Sequence, residues 1–297
     1  MILLTGVNGQ VGSHLARKLS RFGPVKAVDV DTVDFRDEAA LRKLVREVKP
    51  KIIVNPAAYT AVDKAESEAE VARLVNGVAP RILAEEAKAL GALLIHFSTD
   101  YVLPGVGTSP QKETEPTGPL NTYGRTKLEG EQGVRGSGVQ STILRTSWVF
   151  SGHGANFVKT MLRLGAEKEE LKVVADQIGA PTSATCLADA TVKVIATALS
   201  QGNEAAMGLF NVACQGETSW HGFTTEIHRL AKEAGLPIKT KVIYPITTAE
   251  YPTPAVRLRN SRFDLAKFTK TFRHELPTWQ TELAQVIKEL AGTSPQA

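Results

Sequence analysis

Two residues spaced four apart, Tyr123 and Lys127, could carry out acid–base chemistry. They lie in the run Asn121-Thr-Tyr-Gly-Arg-Thr-Lys127, and on a helix this spacing places the phenol and the ammonium on one face. A fixed cation favours the phenolate and so lowers the phenol's pKa from its free value of about 10. The pair predicts a proton donor for a sugar or alcohol oxygen. Because the same spacing is common on helix surfaces, the surrounding sequence has to support this prediction.

A glycine-rich turn at the N-terminus predicts a binding site for a dinucleotide. Gly6, Gly9 and Gly12 directly follow the first apolar run and precede an amphipathic stretch. Glycines in that place allow a tight turn and a close approach of the backbone to a pyrophosphate, which N–H groups at the start of the helix would hold. Their spacing is G-x-x-G-x-x-G rather than the more familiar G-x-G-x-x-G. The residues assigned to this part of the site are Gly6, Asn8, Gly9, Gln10, Val11 and Gly12.

Asp29 marks the second part of the predicted dinucleotide site. It ends the second predicted strand, where a carboxylate can accept hydrogen bonds from the adenosine ribose. A carboxylate there repels the 2′-phosphate of NADPH and so favours NADH. By topology, the adenine and the inner half of the cofactor would be flanked by Asp34, Phe35, Ala57, Ala58 and Tyr59.

A hydroxyl-bearing pair follows the fourth predicted strand. Ser98 and Thr99 come directly after the run Leu94-Ile-His-Phe97, at the sheet edge where the ligand of a parallel α/β sheet binds. A hydroxyl there can donate a hydrogen bond to a carbonyl oxygen. The glycine turn, the strand-end hydroxyl and the Tyr-Lys pair occur together and in order. In combination they predict a nicotinamide-dependent reductase.

The elements that must position these residues form an α/β pattern. Short apolar runs alternate with amphipathic stretches over the first 150 residues, as in βαβ units. We predict strands at residues 2–4, 25–28, 52–54, 93–97 and 141–144, and helices at 11–21, 38–48, 66–90 (a stretch that an interruption could divide) and 120–135. The fold class predicted is therefore α/β, with a Rossmann-like doubly wound parallel sheet.

The second half of the chain has a different pattern of glycine, proline and element length. After residue 148, glycine and proline separate shorter elements, which predicts a smaller C-terminal α/β lobe for the substrate. A helix at 187–199 and a strand at 209–212 would rejoin the first sheet. We therefore assign residues 1–147 plus about 183–213 to the dinucleotide-binding domain, and about 148–182 plus 214–297 to the substrate domain. A closing helix at 279–290 and a frayed tail at 292–297 complete the prediction.

Composition narrows the function class. The 35 basic and 31 acidic residues are interleaved rather than gathered in a stripe, so we expect no nucleic-acid partner. No segment has the length of a membrane span, and the first apolar run ends at Thr5 without the features of an export signal. Cys186 and Cys214 are the only cysteines, too few for a disulfide framework or a zinc site. These features are typical of a cytoplasmic protein.

Seven stretches of the sequence resemble the extended short-chain dehydrogenase/reductases and, within them, the dTDP-4-dehydrorhamnose reductase family. The resemblance covers nearly the whole chain, and only the first and fourth stretches are general to the superfamily. The stretches are residues 5–12, 54–66, 98–102, 119–127, 145–149, 176–182, and 251–254 with 260–262.

The resemblance implies a reaction and a catalytic set. The reaction is reduction of dTDP-4-dehydro-6-deoxy-L-mannose (dTDP-4-keto-L-rhamnose) to dTDP-L-rhamnose, with NADPH or NADH as the hydride donor. Tyr123 would protonate the developing alkoxide, Lys127 would hold the nicotinamide ribose and lower the phenol pKa, and Thr99 would orient the carbonyl oxygen.

The resemblance also implies contacts to the substrate. Trp148 matches a tryptophan that lies against the sugar, although a half-buried packing role is the alternative for this residue. Arginines between 257 and 262 would suit the diphosphate, because guanidinium groups match phosphate geometry. The substrate contacts predicted in this way are Val62, Thr99, Asp100, Trp148 and Asn156.

One departure from the family concerns a metal. Family members with a magnesium-bridged dimer use acidic residues at positions that are here His14, Thr185 and Glu289. Two of these three are not acidic, and Mg²⁺ prefers carboxylate oxygens. We therefore expect no metal, while a homodimer built through helices stays compatible with the sequence.

Two other functions are compatible with the same motifs. An NDP-sugar epimerase or dehydratase of the superfamily has the Tyr-Lys pair too, although the run from Ser98 to Tyr101 favours the reductase. A non-catalytic regulatory subunit, similar to the methionine adenosyltransferase beta subunit, is the other alternative. The presence of Thr99, Tyr123 and Lys127 argues against it.

Overall fold

The predicted α/β architecture is present in the computed structural model, which describes residues 1–293. The strands of this part of the chain are β1 (Ile2–Leu4), β2 (Val25–Ala27), β3 (Ile52–Asn55), β4 (Leu93–Thr99), β5 (Ser141–Thr146), β6 (Val149–Phe150), β7 (Glu170–Val174), β8 (Ile178–Gly179), β9 (Thr182–Ser183), β10 (Gly208–Asn211), β11 (Thr218–Ser219), β12 (Val242–Ile246) and β13 (Asn260–Ser261). The helices are α1 (Gln10–Leu19), α2 (Glu38–Val48), α3 (Ala69–Arg73), α4 (Ala79–Leu90), α5 (Thr122–Ser137), α6 (Phe157–Glu167), α7 (Ala184–Gln201), α8 (Trp220–Glu233), α9 (Ala266–Phe272) and α10 (Trp279–Thr293).

Six strands form the central parallel sheet in the order β10-β5-β4-β3-β1-β2. The predicted strand at 209–212 joins this sheet as β10, beside β5. Strand order reverses between β1 and β3, because β2 lies on one side of β1 and β3 on the other. Ligands of doubly wound sheets bind at such a reversal, and the glycine turn after β1 lies there.

The sheet is buried on both faces, which explains its nearly continuous apolar strands. Alternate residues of each strand point to opposite faces. On one face, the core that contains Leu4 and Val54 includes Leu15 of α1 and Leu187 of α7. On the other, the core that contains Leu3 and Ile53 includes Leu41 of α2, Leu83 of α4 and Val134 of α5. The doubly wound arrangement is confirmed.

Short strands form further small sheets in the part of the chain after residue 148. These sheets are β12-β7, β11-β8-β13 and β6-β9, and α6 packs on α8. We did not predict β12 from the sequence, because Pro245 interrupts its apolar run. The proline is tolerated in this strand because β12 lies at an edge and pairs with β7.

Several predicted boundaries move by a few residues. Helix α5 begins at Thr122 rather than 120, because the side chain of Asn121 accepts from the backbone N–H of Gly124 at 2.8 Å and caps the helix. The stretch 66–90 divides into α3, a π-helical segment at Leu74–Val78, and α4. Helix α10 continues to Thr293, and residues 294–297 of the predicted tail lie outside the described residues. No helix within residues 1–293 is both long and apolar enough to span a membrane.

Candidate active site

A cleft of about 730 Å³ lies at the carboxyl ends of the central strands. Every residue predicted to hold the dinucleotide lines its wall, although these residues come from turns far apart in the sequence. They are Gly6, Asn8, Gly9, Gln10, Val11, Gly12, Asp29, Asp34, Phe35, Ala57, Ala58, Tyr59, Tyr123 and Lys127.

The glycine turn is shaped for close approach of backbone to backbone. Gly6 has φ +60°, and a Cβ at this residue would lie 2.8 Å from the Cα of Ala57. A Cβ on Gly12 would lie 1.9 Å from the carbonyl oxygen of Gly6. Any side chain at either position would therefore force the turn away from α1 or from β3. The turn leaves the start of α1 open to the cleft, as a pyrophosphate site requires.

Charges of both signs border the cleft near Asp29. The carboxylate of Asp29 accepts from the backbone N–H groups of Asn8 and Val30, each at 2.7 Å. Arg36, which the sequence analysis did not assign to the site, also lines the cleft. Its guanidinium donates to Asp34 at 2.7 Å and holds the pKa of that carboxyl at about 2. A guanidinium on the wall of the same cleft as Asp29 weakens the argument for NADH alone.

Helix α5 brings Tyr123 and Lys127 to the floor of the cleft, where both are buried. The ammonium of Lys127 donates to the carbonyl oxygen of Phe97 at 2.6 Å. Burial lowers the pKa of Lys127 to about 8, against the opposing charge of Glu131. Burial raises the pKa of Tyr123, and the adjacent Thr99 hydroxyl only partly opposes this effect. The lowered phenol pKa expected from the sequence is therefore wrong for this structure, because burial is the largest effect on the phenol.

Thr99, the last residue of β4, lies next to the phenol. Its hydroxyl donates to Asp100 at 2.9 Å and accepts from the backbone N–H of Tyr101 at 3.3 Å. Burial raises the pKa of Asp100 to about 6, and the hydroxyls of Ser261 and Thr99 partly oppose this rise. Tyr101 packs edge-on against Tyr123, with ring centroids 5.6 Å apart. A hydroxyl, a carboxyl and two phenols therefore meet at Tyr123, although Thr99, Asp100 and Tyr101 themselves do not line the cleft.

Two buried hydroxyls at the ends of adjacent strands have no hydrogen-bond partner within the described part of the chain. They are Ser98 Oγ on β4 and Thr146 Oγ1 on β5, and both residues line the cleft. Buried polar groups are almost always paired, so a bound ligand is the natural source of their partners. Thr146 was missed in the sequence, where only its position at the end of a strand could have indicated it. Together with the glycine turn, these hydroxyls fit a dinucleotide.

The predicted substrate residues lie in three different places. Val62, Thr99 and Asp100 gather near Tyr123; Val62 packs in the small cluster that contains this phenol. Asn156 instead caps α6 and donates to Gln10 at 3.0 Å, which places it beside the glycine turn. Trp148 follows β5 and is half-buried against Trp220.

The predicted phosphate-binding arginines also differ in their surroundings. Arg257 donates to Asp63 at 2.6 Å. Burial raises the pKa of Tyr101 and the charge of Arg257 partly opposes this effect, so Arg257 lies close to Tyr101. Arg262 is paired with Glu217 at 2.7 Å, and Arg259 is exposed.

Two of the three positions compared with the family's metal ligands, His14 and Thr185, form an ordinary packing contact. His14 Nδ1 lies 3.2 Å from the hydroxyl of Thr185, where α1 packs on α7. Burial lowers the pKa of His14, which favours the neutral ring. Within residues 1–293, no group of three or more His, Cys, Asp or Glu is placed to hold a metal ion.

Comparisons with known proteins agree on one family. Residues 1–291 match the family model described as the RmlD substrate binding domain. The chain is 44% identical over 297 residues to the dTDP-4-dehydrorhamnose reductase of Escherichia coli K12, a match that covers 99% of each chain. It is similar to the crystal structure of a dTDP-4-dehydrorhamnose reductase from Clostridium acetobutylicum, with a TM-score of 0.89, 38% identity and coverage of 97% of this chain and 99% of that one. The enzyme of the same name from Bacillus anthracis, solved in complex with NADP, gives a TM-score of 0.89, 35% identity and coverage of 97% and 98%.

Proposed function

The chain belongs to the RmlD family of dTDP-4-dehydrorhamnose reductases, and we propose that Tyr123 is the proton donor of the reaction. The chain is an NAD(P)H-dependent oxidoreductase that reduces dTDP-4-keto-L-rhamnose to dTDP-L-rhamnose. The observation that supports the role of Tyr123 is its place in the cleft. The phenol is buried beside Thr99, one helical turn from Lys127, among the residues that fit a dinucleotide.

The cofactor, NADPH or NADH, supplies a hydride to the keto carbon when it is bound. The residues that would hold it are the glycine turn at the start of α1, Asp29 near the adenosine ribose, and Lys127 with Ser98 and Thr146 at the catalytic end. Arg36 offers a cation for a 2′-phosphate, whereas Asp29 offers an acceptor for a 2′-hydroxyl. This combination supports use of both nucleotides.

The raised pKa of Tyr123 suits a proton donor, because it keeps the phenol protonated at neutral pH until the substrate oxygen becomes an alkoxide. Thr99 orients that oxygen when its hydroxyl turns the proton that it donates to Asp100 in the free chain toward the substrate. Lys127, which is charged below about pH 8, stabilises the phenolate that remains after the transfer. Asp100 and Val62 contact the sugar, and Arg257 lies where an anionic diphosphate would need a cation.

The remaining expectations extend this proposal. The substrate lobe comprises about 148–182 plus 214–297, and the dinucleotide domain comprises 1–147 plus about 183–213. We place the protein in the cytoplasm without a nucleic-acid partner, either as a monomer or as a homodimer without a bridging metal. The two buried cysteines, unpaired in the structure, agree with a reducing compartment.

Oxidation of NADPH and of NADH, each mixed with dTDP-4-keto-L-rhamnose, tests the function. We expect stoichiometric consumption of either nucleotide, whereas an epimerase would consume neither and a regulatory subunit would bind without turnover. Tyr123→Phe should lower kcat by about 10² to 10⁴ and leave binding of dTDP-L-rhamnose intact. Tyr244→Phe, at an exposed tyrosine of β12, is the matched control and should change neither. Full activity of Tyr123→Phe would disprove the assignment of the proton donor.

A further inference from the structure

The backbone of Trp148 has an unusual conformation. Its φ of +49° lies in the left-handed region, which a bulky residue rarely adopts and which persists only where surrounding contacts impose it. Such strain concentrates at functional sites. The contacts around Trp148 therefore indicate what the protein gains from this conformation.

Trp220, the first residue of α8, provides the main contact. Its ring lies parallel to that of Trp148, with centroids 3.6 Å apart and an interplanar angle of 11°. Phe157 packs on Trp220 from α6, at 4.5 Å between centroids. The indole N–H of Trp220 donates to Gln177 at 3.1 Å, and Gln177 in turn donates to Thr248 at 3.1 Å. Trp220 is thus fixed by an aromatic contact and by a hydrogen bond at its edge.

Gly179 provides the space that Trp148 occupies. A Cβ at this residue would lie 2.9 Å from Cε2 of Trp148 and 2.9 Å from Cβ of Ser261. Burial raises the pKa of Asp100, and the side chain of Ser261 partly opposes this effect, so Ser261 lies close to Asp100, the residue that follows the catalytic hydroxyl of Thr99. Gly179 and Ser261 therefore link Trp148 to the neighbourhood of Asp100, although they and Trp220 come from distant parts of the sequence.

We propose that Trp220 is a positioning residue of the sugar site: it holds Trp148 so that the Trp148 indole packs against the C–H face of the deoxysugar ring. Gly179 makes room for Trp148, and Gln177 fixes the rotation of Trp220. The inference deepens the proposed function and rests on its assignment of Trp148 to the sugar. Trp220 itself acts through Trp148 and touches neither the reacting carbon nor the cofactor.

Steady-state kinetics of Trp220→Leu, Trp220→Phe and Trp148→Leu test the proposal. For Trp220→Leu, we expect KM for dTDP-4-keto-L-rhamnose and Kd for dTDP-L-rhamnose to rise about twofold to tenfold, the range of an aromatic pair. KM for NADPH should stay unchanged. Trp220→Phe should recover most of the loss, because a phenyl ring can still stack. Trp148→Leu should show at least the loss of Trp220→Leu.

The chain has a matched control in Trp279, its third tryptophan, which is buried and is separated from Trp220 by the rings of Phe223 and Phe157. Trp279→Phe should leave both constants unchanged. Circular dichroism gives an independent signature, since two stacked indoles couple their transitions. The couplet should vanish in Trp148→Leu and in both Trp220 variants, and it should survive in Trp279→Phe.

The outcomes separate this inference from the proposed function. If Trp220→Leu loses the couplet and retains the wild-type constants for the sugar nucleotide, Trp220 only packs and the inference is wrong. An equal rise in KM for NADPH would also overturn it, since it would indicate a general structural defect. If Trp148→Leu leaves sugar binding unchanged while Tyr123→Phe is inactive, the sugar role of Trp148 fails and the proton donor stands. Activity in Tyr123→Phe would instead refute the proposed function itself.

Discussion

At the scale of single residues, burial decides the electrostatics of the site. When ionised, Tyr123 is an anion and Lys127 is a cation, and burial favours the neutral form of each. Burial therefore raises the pKa of the phenol and lowers the pKa of the ammonium. The sequence showed the spacing of the pair but could not show how deeply it is buried. A protonated phenol is the state required of a donor, so the reversal strengthens the proposed role.

The pH dependence of activity should report the charge of Lys127. Its pKa in the folded protein is about 8, lowered from 10.5, so the ammonium is lost as pH rises through about 8. We expect kcat/KM, which reflects the free enzyme, to fall above about pH 8. In Lys127→Arg, whose guanidinium stays charged, that alkaline limb should disappear from whatever activity remains. An identical limb in the variant would assign it to another group.

The free energy of unfolding should rise over the alkaline range in which kcat/KM falls. Between about pH 8 and 10.5 the unfolded chain keeps a proton on Lys127 that the folded chain has released, so unfolding becomes harder as pH rises. Chemical denaturation of the wild type and of Lys127→Met across this range isolates the contribution, because other titrating groups cancel in the difference. A fall in the wild-type free energy of unfolding relative to that of Lys127→Met as pH rises would contradict the lowered pKa.

Asp29 should set the balance between the two nucleotides. Its two oxygens each accept one backbone N–H group, and Asp29→Asn keeps an oxygen for one of them while removing the charge. We expect the ratio of kcat/KM for NADPH to that for NADH to rise about fivefold, as for a partly exposed charge pair. Asp31→Asn, at an exposed carboxylate outside the cleft wall, is the control. An unchanged ratio in Asp29→Asn would show that Asp29 does not face the ribose.

At the scale of elements, the N-terminus of α5 is held by more than its own cap. Asn121 caps the helix and also donates to the carbonyl oxygen of Val256 at 2.8 Å. Glu66 accepts from the backbone N–H and the hydroxyl of Thr122, at 2.8 and 3.0 Å. A carboxylate at this end of a helix is favourable. The start of the catalytic helix is thereby fixed to two distant segments.

Asn121→Ala should therefore affect both stability and catalysis. Loss of the cap should cost about 1 kcal/mol of the free energy of unfolding, and the freed first turn should also lower kcat, because Tyr123 is its second residue. Asp37→Ala is the matched control: Asp37 caps α2 through Ala40 at 3.0 Å, away from Tyr123. It should lose similar stability and keep kcat. Equal kcat in both variants would show that the cap does not position the phenol.

The sequence predicted the cofactor side of the fold better than the sugar side, for a physical reason. The glycine turn and Asp29 act within contiguous strand–turn–helix units, whose period and turn residues are visible in the sequence. The π-helical segment was not visible, since it depends on Asn76, whose side chain pairs with both backbone groups of Tyr59 at 2.9 and 3.0 Å. The contact of Trp148 with Trp220 joins residues 72 positions apart and has no local signal either.

At the scale of the whole molecule, one segment connects the smaller lobe to the catalytic helix. We call residues 251–257 the strap. Ala255 donates its N–H to Asp63 at 3.2 Å, Arg257 donates to the same carboxylate at 2.6 Å, and Val256 accepts from Asn121. Both anchors belong to motifs that the resemblance singled out, residues 54–66 and 119–127. The strap therefore joins Asp63 to the start of α5, the helix that carries Tyr123.

Asp63→Ala should weaken sugar binding without affecting the cofactor, because it releases Arg257 and Ala255 and leaves the glycine turn untouched. The carboxylate is about half exposed, so screening by solvent keeps the effect modest. We expect KM for the sugar nucleotide to rise about fivefold, with little change in the melting temperature and none in KM for NADPH. The wild-type KM should also rise with ionic strength, and that dependence should weaken in the variant. Glu217→Ala is the matched control, since it releases Arg262 from a comparable pair elsewhere in the lobe. If both variants raise KM equally, the effect belongs to the overall charge of the lobe and the strap has no special role.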